Sequence, residues 1–112
     1  MDAVEKDVRL LVKKELKAAN RNFPMFHSAH EGWAVIREEM SEAETERYLL
    51  DRWIEERLWN EVKADLKIPK EDLKEMQYRA VHMAVEAIQL AAMICKLECS
   101  QRRWPEKVEQ IF

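Results

Sequence analysis

The stretch from residue 28 to residue 46, SAHEGWAVIREEMSEAETE, decides how this chain folds and where its chemistry could lie. Ser28 is followed three residues later by Glu31, the spacing of a capping box, which predicts that a helix begins here. After Gly32, neither glycine nor proline occurs before Pro69. The stretch therefore predicts the first turns of a long helix.

Carboxylates are concentrated on one stripe of this predicted helix. At 100° per residue, Glu31, Glu38 and Glu42 lie within roughly 40° of one another, and Glu39 flanks them. Val35 falls inside the same stripe, and the adjoining face is apolar. Like charges one turn apart destabilise a helix. A hard cation would remove that cost, so the stripe is a candidate metal site, with a solvent-facing charge run as the alternative.

Length and composition restrict the class of protein. The chain has 112 residues, of which 37% are charged and 47% hydrophobic, with one glycine and 3 prolines. This composition is typical of a single domain built from long helices with short connections, so the expected fold class is all-α. The net charge of −3 and the pI near 5.7 argue against DNA or RNA as a partner, because binding of a nucleic acid backbone requires a basic surface.

The cysteines and the N-terminus bear on the compartment. Cys95 and Cys99 are four residues apart in a helical pattern, so their side chains diverge, and two free thiols in a reducing compartment are expected. The first residues, MDAVEKDVRL, are polar and acidic, unlike a signal peptide. We find no obvious apolar run of the ~18 residues that span a bilayer. The expectation is a soluble cytoplasmic protein with no membrane partner.

Apolar periodicity predicts three helices. The first covers residues 2–20, with lysine and arginine opposite its apolar face. The third covers residues 70–99, has Pro69 in its first turn and is expected to form the buried centre of a bundle. The single domain, residues 1–112, then comprises an N-terminal helix and connector (1–27), a helical core with the acidic motifs (28–99) and a short C-terminal tail (100–112).

The second helix presents a problem of length. Its apolar pattern begins at Ser28 and continues to Ile68, and a helix of ~40 residues would span ~60 Å, more than the width of a globule of this size. Such a helix must either bend or project into an oligomer. We expect a break or kink near residues 44–47.

A second group of polar side chains lies in the apolar half of the third helix, AVHMAVEAIQLAAMICKLEC. Glu86 and Gln89 share a face there, and a buried carboxylate requires a partner. If the second and third helices pack side by side, these groups meet the carboxylates of the second helix around one Mg²⁺ ion, or Mn²⁺ in its place. Such a site suits attack of water on a phosphoanhydride, with Glu38 or Glu39 as the base.

These segments resemble a known family. The blocks FHSAHEGWAVIREEMSEAETE and AVEAIQLAAM, within residues 26–98, are similar to the small MazG-like all-α nucleoside triphosphate pyrophosphohydrolases of phages and bacteria. Glu39 and Glu42 match the family's Glu-x-x-Glu motif, and Glu86 and Gln89 match its Glu-x-x-Asp motif in part. The resemblance implies that these four residues bind Mg²⁺. It also implies a bundle of three to five helices, a dimer or dimer of dimers, and hydrolysis of an NTP or dNTP to monophosphate and pyrophosphate.

Two departures from the family pattern keep a second function open. Gln89 replaces a carboxylate, which removes one negative charge from the site and should weaken metal binding. The interval between the two motifs is long and contains the aromatic residues Tyr48, Trp53 and Trp59. The alternative function is a non-catalytic or weakly active helical interaction or regulatory protein that retains the same scaffold.

Three further residues could contact a nucleotide. Lys96 lies one stripe from the acidic groups of the third helix and could meet a phosphate, the alternative being a surface lysine whose stem covers apolar neighbours. Trp33, which could stack on a base, and His82 are the other candidates, although such side chains at helical spacing commonly belong to a core. Glu31 is expected to be the capping partner of Ser28 rather than a metal ligand.

Overall fold

The computed structural model describes residues 2–105, with side chains from residue 3 onwards. In this range the protein is all-helical, which confirms the predicted fold class. The predicted tail from residue 106 onwards lies outside the described residues. The elements are α1 (Asp2–Asn22), α2 (Ala29–Arg52), a π-helical segment (Trp53–Leu58), α3 (Trp59–Lys63) and α4 (Lys70–Gln101).

The start of α2 confirms the capping spacing in the sequence. The Ser28 hydroxyl accepts a hydrogen bond from the backbone N–H of Glu31 at 3.1 Å. In return, the Glu31 carboxylate accepts a hydrogen bond from the backbone N–H of His27 at 3.2 Å. The return bond of a standard capping box goes to the cap residue itself, so here it reaches one residue further back. The first of these bonds satisfies a donor that the first turn of a helix leaves free, and the second ties the residue before the cap to that turn.

The predicted break near residues 44–47 is wrong. α2 runs through this stretch without interruption, and the π-helical segment and α3 continue it as one rod from residue 29 to residue 63. The rod is about 50 Å long and accounts for most of the molecule's longest dimension of 66 Å. After Gly32, no glycine or proline is present to end the helix earlier. The irregularity instead falls at Trp53–Leu58, where the helix widens to π-helical geometry.

The rod ends in a left-handed turn. Asp65 has a φ of 53°, and the backbone N–H of Leu66 donates to the carbonyl of Glu61 at 3.0 Å. The N–H of Asp65 donates to the carbonyl of Val62 at 3.1 Å, which completes a Schellman motif. Aspartate tolerates this backbone region better than most residues other than glycine. Pro69 lies one residue before α4, as its N-cap, rather than inside its first turn as predicted.

α4 is the element on which the other helices pack. α2 runs antiparallel to it, so that Gly32 approaches Leu97 at one end and Glu46 approaches Arg79 further along. A Cβ at Gly32 would lie 2.7 Å from the Leu97 side chain, which explains the need for glycine at this crossing. α1 runs parallel to α4. Within residues 2–105, α1 and α2 do not pack directly on each other, so a cleft remains between them above α4.

The connector between α1 and α2 is fastened to the C-terminal end of α4. Phe26 is buried, and its backbone N–H donates to the Ser100 hydroxyl at 3.0 Å. The Ser100 hydroxyl in turn donates to the carbonyl of Lys96 at 2.7 Å. The indole N–H of Trp104 donates to the carbonyl of Phe26 at 3.1 Å. These bonds hold the connector, including Phe26, at one end of the cleft between α1 and α2.

The single chain is elongated and leaves many apolar side chains exposed. Its radius of gyration is 19.4 Å, whereas a compact domain of this length has a value of about 13 Å. The exposed side chains belong to all the helices and include Val4, Val8 and Leu11 of α1 and Tyr78, Val81 and Val85 of α4. α4 is therefore central, but it is not buried on all sides as predicted.

α4 also meets a simple criterion for a membrane-spanning helix. It contains an 18-residue window with a mean hydropathy of 1.5, so the expectation that no apolar run reaches this length is wrong. Only 11% of that window is buried. Central helices of soluble proteins meet the same criterion, so this is weak evidence for a membrane span. The absence of a membrane partner therefore stays a prediction.

Candidate metal centre and the cleft beside it

Three carboxylates from two helices meet at one point. Glu39 and Glu42 lie one turn apart on α2, and Glu86 faces them from the antiparallel α4. One carboxylate oxygen of each lies within 4.8 Å of the others. Oxygens on opposite sides of a bound Mg²⁺ ion are about 4.2 Å apart, so the three groups need only a small closure to share an ion. We call these three residues the carboxylate cluster.

Among the residues that the structure describes, the carboxylate cluster has no ion-pair partner. Within residues 3–105, no lysine, arginine or histidine forms an ion pair with any of its three members. The Oε2 atoms of Glu39 and Glu86 are buried and accept no hydrogen bond. Arg79, further along α4, pairs with Glu46 at 3.9 Å and with Glu75 at 3.1 Å instead. The cluster therefore holds uncompensated negative charge.

Burial and neighbouring carboxylates both shift the pKa values of Glu39 and Glu86. Burial raises the pKa of Glu39, and the neighbouring carboxylates of Glu42 and Glu86 raise it further. Burial also raises the pKa of Glu86, with a further contribution from Glu42, while the nearby His82 opposes the shift. Desolvation and like charges both favour the protonated acid. A bound divalent cation would act in the opposite direction and favour the carboxylates.

A cleft opens beside the cluster, between α1, the connector and α2, with α4 as its floor. Its volume is about 590 Å³, within the range of sites that hold small molecules. Glu38, Glu39 and Gln89 lie at its acidic end. Lys96 lies at the other end, beside Phe26. The walls between the two ends are mostly apolar and include Ala18, Ala19, Phe23, Pro24, Val35 and Met93.

The other predicted metal-site residues lie next to the cluster rather than in it. Gln89 is half-buried and lines the cleft one turn along α4 from Glu86. Glu38 is exposed and lines the same end of the cleft. Its carboxylate is therefore open to solvent next to Glu39, a position that suits a base acting on water.

The structure brings one of the three predicted substrate contacts to the cleft. Lys96 lines it, and its side chain is only 3% exposed, so the alternative of a surface lysine is wrong. Trp33 is 58% exposed, stacks on His30 with ring centroids 5.9 Å apart, and does not line the cleft. His82 packs on the ring of Tyr78 at 4.4 Å and also lies outside the cleft.

Sequence reasoning missed the contribution of α1 and of the connector to the cleft. Glu15 and Asn22 of α1 line it, as do Phe26 and Glu31. A signal for Glu15 was present, because this carboxylate falls within the apolar rhythm of α1. Glu31 keeps its predicted capping role, and its side chain reaches the cleft as well. No signal in the sequence indicated that α1 would lie beside α2 without packing on it.

Comparison with known proteins identifies no relative: no family model, curated protein or solved structure matches this chain.

The carboxylate cluster should leave a signature in the pH dependence of stability. A carboxyl whose folded-state pKa is raised contributes stability below its unfolded value, near 4.5, and loses it as the pH rises through the folded value. In metal-free buffer at pH 7, Glu86→Gln should therefore have a larger free energy of unfolding than the wild type. This difference should shrink as the pH falls towards 4.5, as measured by urea denaturation at each pH.

The matched control for this experiment is Glu44→Gln, which makes the same change of charge at an exposed position of α2 outside the cluster. Its difference from the wild type should vary little with pH. A constant difference for Glu86→Gln between pH 7 and pH 4.5 would contradict the charge repulsion inferred for the cluster.

Proposed function

We propose that this protein is a Mg²⁺-dependent nucleoside triphosphate pyrophosphohydrolase, which converts an NTP or dNTP into its monophosphate and pyrophosphate. The observation that carries the proposal is the convergence of Glu39, Glu42 and Glu86 from two helices, with no ion pair to them from residues 3–105. The cleft beside them has the volume for a nucleotide. The resemblance of both acidic blocks to the MazG-like enzymes supports the same activity.

The residues suit this chemistry by charge and position. Carboxylate oxygens are the ligands that Mg²⁺ prefers, and Mn²⁺ accepts the same set. When bound, the ion supplies Lewis-acid activation of water and neutralises phosphate charge. Glu39, Glu42 and Glu86 would hold it, with Gln89 as a neutral oxygen donor at the rim. Glu38 would take the proton of the attacking water as the phosphoanhydride bond breaks and pyrophosphate leaves with the bonding electrons.

The test combines turnover with binding. Pyrophosphate release is measured for a panel of NTPs and dNTPs, with Mg²⁺, with Mn²⁺ and with chelator. The expected result is metal-dependent release from at least one member of the panel. The melting temperature is measured in parallel, because a ligand of the native state must raise it. Absence of turnover together with an unchanged melting temperature at millimolar Mg²⁺ would refute the proposal.

The second candidate function is a helical interaction or regulatory protein without turnover. It is favoured by Gln89 in place of a carboxylate and by an exposed surface of aromatic and arginine side chains around the π-helical segment. There, Arg52 lies 5.8 Å from the ring centroid of Tyr48, and Arg57 lies 5.5 Å from that of Trp53. Such amphipathic side chains are frequent at protein interfaces. This function predicts no effect of Mg²⁺ on the melting temperature.

The exposed apolar surface favours a second copy of the chain as the partner in either case. Leu11 and Val85 line the same hollow between the parallel helices α1 and α4. Two turns earlier on each helix, Val4 and Tyr78 are exposed too, so the apolar surface continues along both. Val81 lies between Tyr78 and Val85 on α4 and is exposed as well. The single chain is elongated and leaves this apolar surface exposed. We propose that the surface forms the interface of a homodimer or of a dimer of dimers.

Light scattering after size-exclusion chromatography tests the dimer. The expected mass is twice or four times that of the 13.4 kDa chain. Val81→Glu should shift the protein towards the monomer, because it places a charge in the apolar surface. Ile94→Glu, at another exposed apolar position on a different face of α4, is the control and should leave the mass unchanged. A monomeric wild type, or dissociation only by Ile94→Glu, would contradict the proposed interface.

A further inference from the structure

Glu15 of α1 is a half-buried carboxylate on the face of its helix that is turned towards α4. Leu11, Glu15 and Ala18 follow the i, i+4, i+7 spacing of one helix face, and all three line the hollow between α1 and α4. Within residues 3–105, no lysine, arginine or histidine forms an ion pair with Glu15. A half-buried charge without a partner is costly. The packing of α1 therefore does not account for a carboxylate at this position.

Glu15 lies where two cavities meet. It lines the hollow between α1 and α4, and it also lines the cleft beside the carboxylate cluster. Gln89 of α4 lines the same two cavities, so the two side chains border the same space. The basic residues Lys14 and Arg21 line the hollow but not the cleft. On the side of the cleft, Glu15 therefore meets the acidic end that contains Glu39.

The charge of Glu15 reaches the carboxylate cluster across this cleft. Burial is the largest cause of the raised pKa of Glu39, and Glu15 is among the carboxylates that raise it further. Glu15 is not one of the three carboxylates that converge within 4.8 Å, so it lies near the cluster without belonging to it. Since α1 and α2 do not pack on each other within residues 2–105, space for water separates Glu15 from Glu39.

The carboxylate cluster would leave part of the surface of a bound cation to water. The Oε2 atoms of Glu39 and Glu86 are buried and accept no hydrogen bond from the described residues, so their demand is for a cation. Mg²⁺ prefers an octahedral set of oxygen ligands and usually keeps several of its waters. Those waters donate hydrogen bonds, and acceptors around a metal site hold them in place. Glu15 is such an acceptor, on the side of the cleft formed by α1.

We propose that Glu15 is a positioning residue of the metal centre, which accepts hydrogen bonds from the waters of the Mg²⁺ ion and connects α1 to the carboxylates of α2 and α4. It adds negative charge to a space where the neighbouring Gln89 is neutral. Within the described residues α1 packs on α4 alone, so binding of the ion also fastens α1 to α2 across the cleft. The inference rests on the proposed function in one respect, because it takes the cation to bind at the carboxylate cluster.

Binding of Mg²⁺ without nucleotide tests this role apart from turnover. The melting temperature, followed as a function of Mg²⁺ concentration, gives an apparent dissociation constant. Glu15→Gln should weaken binding by about tenfold or more, which is typical for loss of a group that supports a metal through its ligands. Asp7→Asn removes an exposed carboxylate of the same helix and should bind Mg²⁺ as the wild type does. Equal dissociation constants for Glu15→Gln and Asp7→Asn would overturn the inference.

A charge swap distinguishes the charge of Glu15 from a role in packing. Because Glu15 and Gln89 line the same two cavities, the double variant Glu15→Gln/Gln89→Glu returns a carboxylate to the same space. It should recover most of the Mg²⁺ affinity that Glu15→Gln loses, and absence of any recovery would contradict a role based on charge. In metal-free buffer, Glu15→Gln should melt no lower than the wild type, because it removes a like charge near the cluster. This comparison separates loss of the contact from loss of the fold.

Hydrogen exchange of the α1 amides reports whether the ion fastens this helix. At Mg²⁺ concentrations that saturate each protein, exchange in α1 should slow more in the wild type than in Glu15→Gln, because only the wild type connects α1 to the ion. A residue with a purely structural role would not produce this difference. Equal slowing in the two proteins would overturn the proposed connection.

The role of Glu15 and the proposed activity can fail separately. If Mg²⁺ binds, Glu15→Gln weakens the binding and no nucleotide is hydrolysed, the role of Glu15 stands and the activity fails. If nucleotides are hydrolysed with Mg²⁺ and Glu15→Gln binds the ion as tightly as the wild type, the activity stands and the role of Glu15 fails. A wild type that does not bind Mg²⁺ overturns both.

Discussion

Replacing Glu42 with glutamine is expected to lower Mg²⁺-dependent pyrophosphate release by about two orders of magnitude or more. Glu42 supplies one of the three carboxylate oxygens that lie within 4.8 Å of one another. A neutral amide keeps the shape of the side chain but removes a charge that favours the ion. Because Gln89 already stands beside the cluster in place of a carboxylate, only Glu39 and Glu86 would remain to neutralise the metal.

The same substitution should change metal binding in the absence of substrate. Millimolar Mg²⁺ should raise the melting temperature of the wild type, whereas Glu42→Gln should show a much smaller rise. In metal-free buffer, the order should reverse, since the loss of a negative charge relieves repulsion in the cluster. Opposite effects of one substitution with and without metal distinguish a binding site from a stabilising contact.

Glu44→Gln is the matched control for both measurements. Glu44 lies two residues further along α2, is exposed, and is outside the carboxylate cluster. It changes the net charge by the same amount, so a general electrostatic effect on nucleotide binding would appear in both variants. Pyrophosphate release that is equal in Glu42→Gln and in the wild type would eliminate the metal-centred mechanism.

Replacing Phe26 with alanine is expected to lower the free energy of unfolding by about 3–5 kcal/mol. Phe26 is 5% exposed, and its ring lies next to the Lys96 ammonium and close to Gly32. Alanine would keep the backbone bonds to Ser100 and Trp104 but would leave a cavity where the connector packs on α4. Urea denaturation of both proteins at the same concentration measures the effect, because the apparent stability of an oligomer depends on concentration.

Phe23→Ala is the control for this second prediction. Phe23 belongs to the same connector and lines the same cleft, but its side chain is 66% exposed. Its removal should change the free energy of unfolding by less than about 0.5 kcal/mol. Similar losses for the two variants would show that the connector is held by its backbone bonds rather than by the burial of Phe26.

Local patterns of residues were sufficient to predict most of the secondary structure. Apolar residues at helical spacing predicted a helix over residues 2–20 and another over 70–99, and the structure extends each by two residues, to Asn22 and Gln101. The Ser28 cap was predicted because it requires only a hydroxyl and the next turn of backbone. These features depend on residues within one or two turns of each other, so the sequence contains the information that decides them.

Predictions that depended on overall shape were less successful. The break near residues 44–47 was expected on the assumption of a compact globule, but the rod continues to Lys63 because nothing in its sequence ends it sooner. The π-helical segment has no glycine, proline or other residue that would have indicated it. Arg57 of this segment pairs with Asp72 of α4 at 3.3 Å, a contact between residues that are distant in sequence.

The sequence by itself determined that the protein is helical, where α1 and α4 begin and end to within two residues, where α2 begins, and which stripes of α2 and α4 carry carboxylates. Only the tertiary structure decided that Glu86 faces Glu39 and Glu42, that Lys96 is enclosed beside Phe26, and that a cleft separates α1 from α2. Helical periodicity places a side chain on a face of its own helix. Which faces meet depends on the packing of segments that are distant in sequence, such as the close approach of Gly32 on α2 to Leu97 on α4.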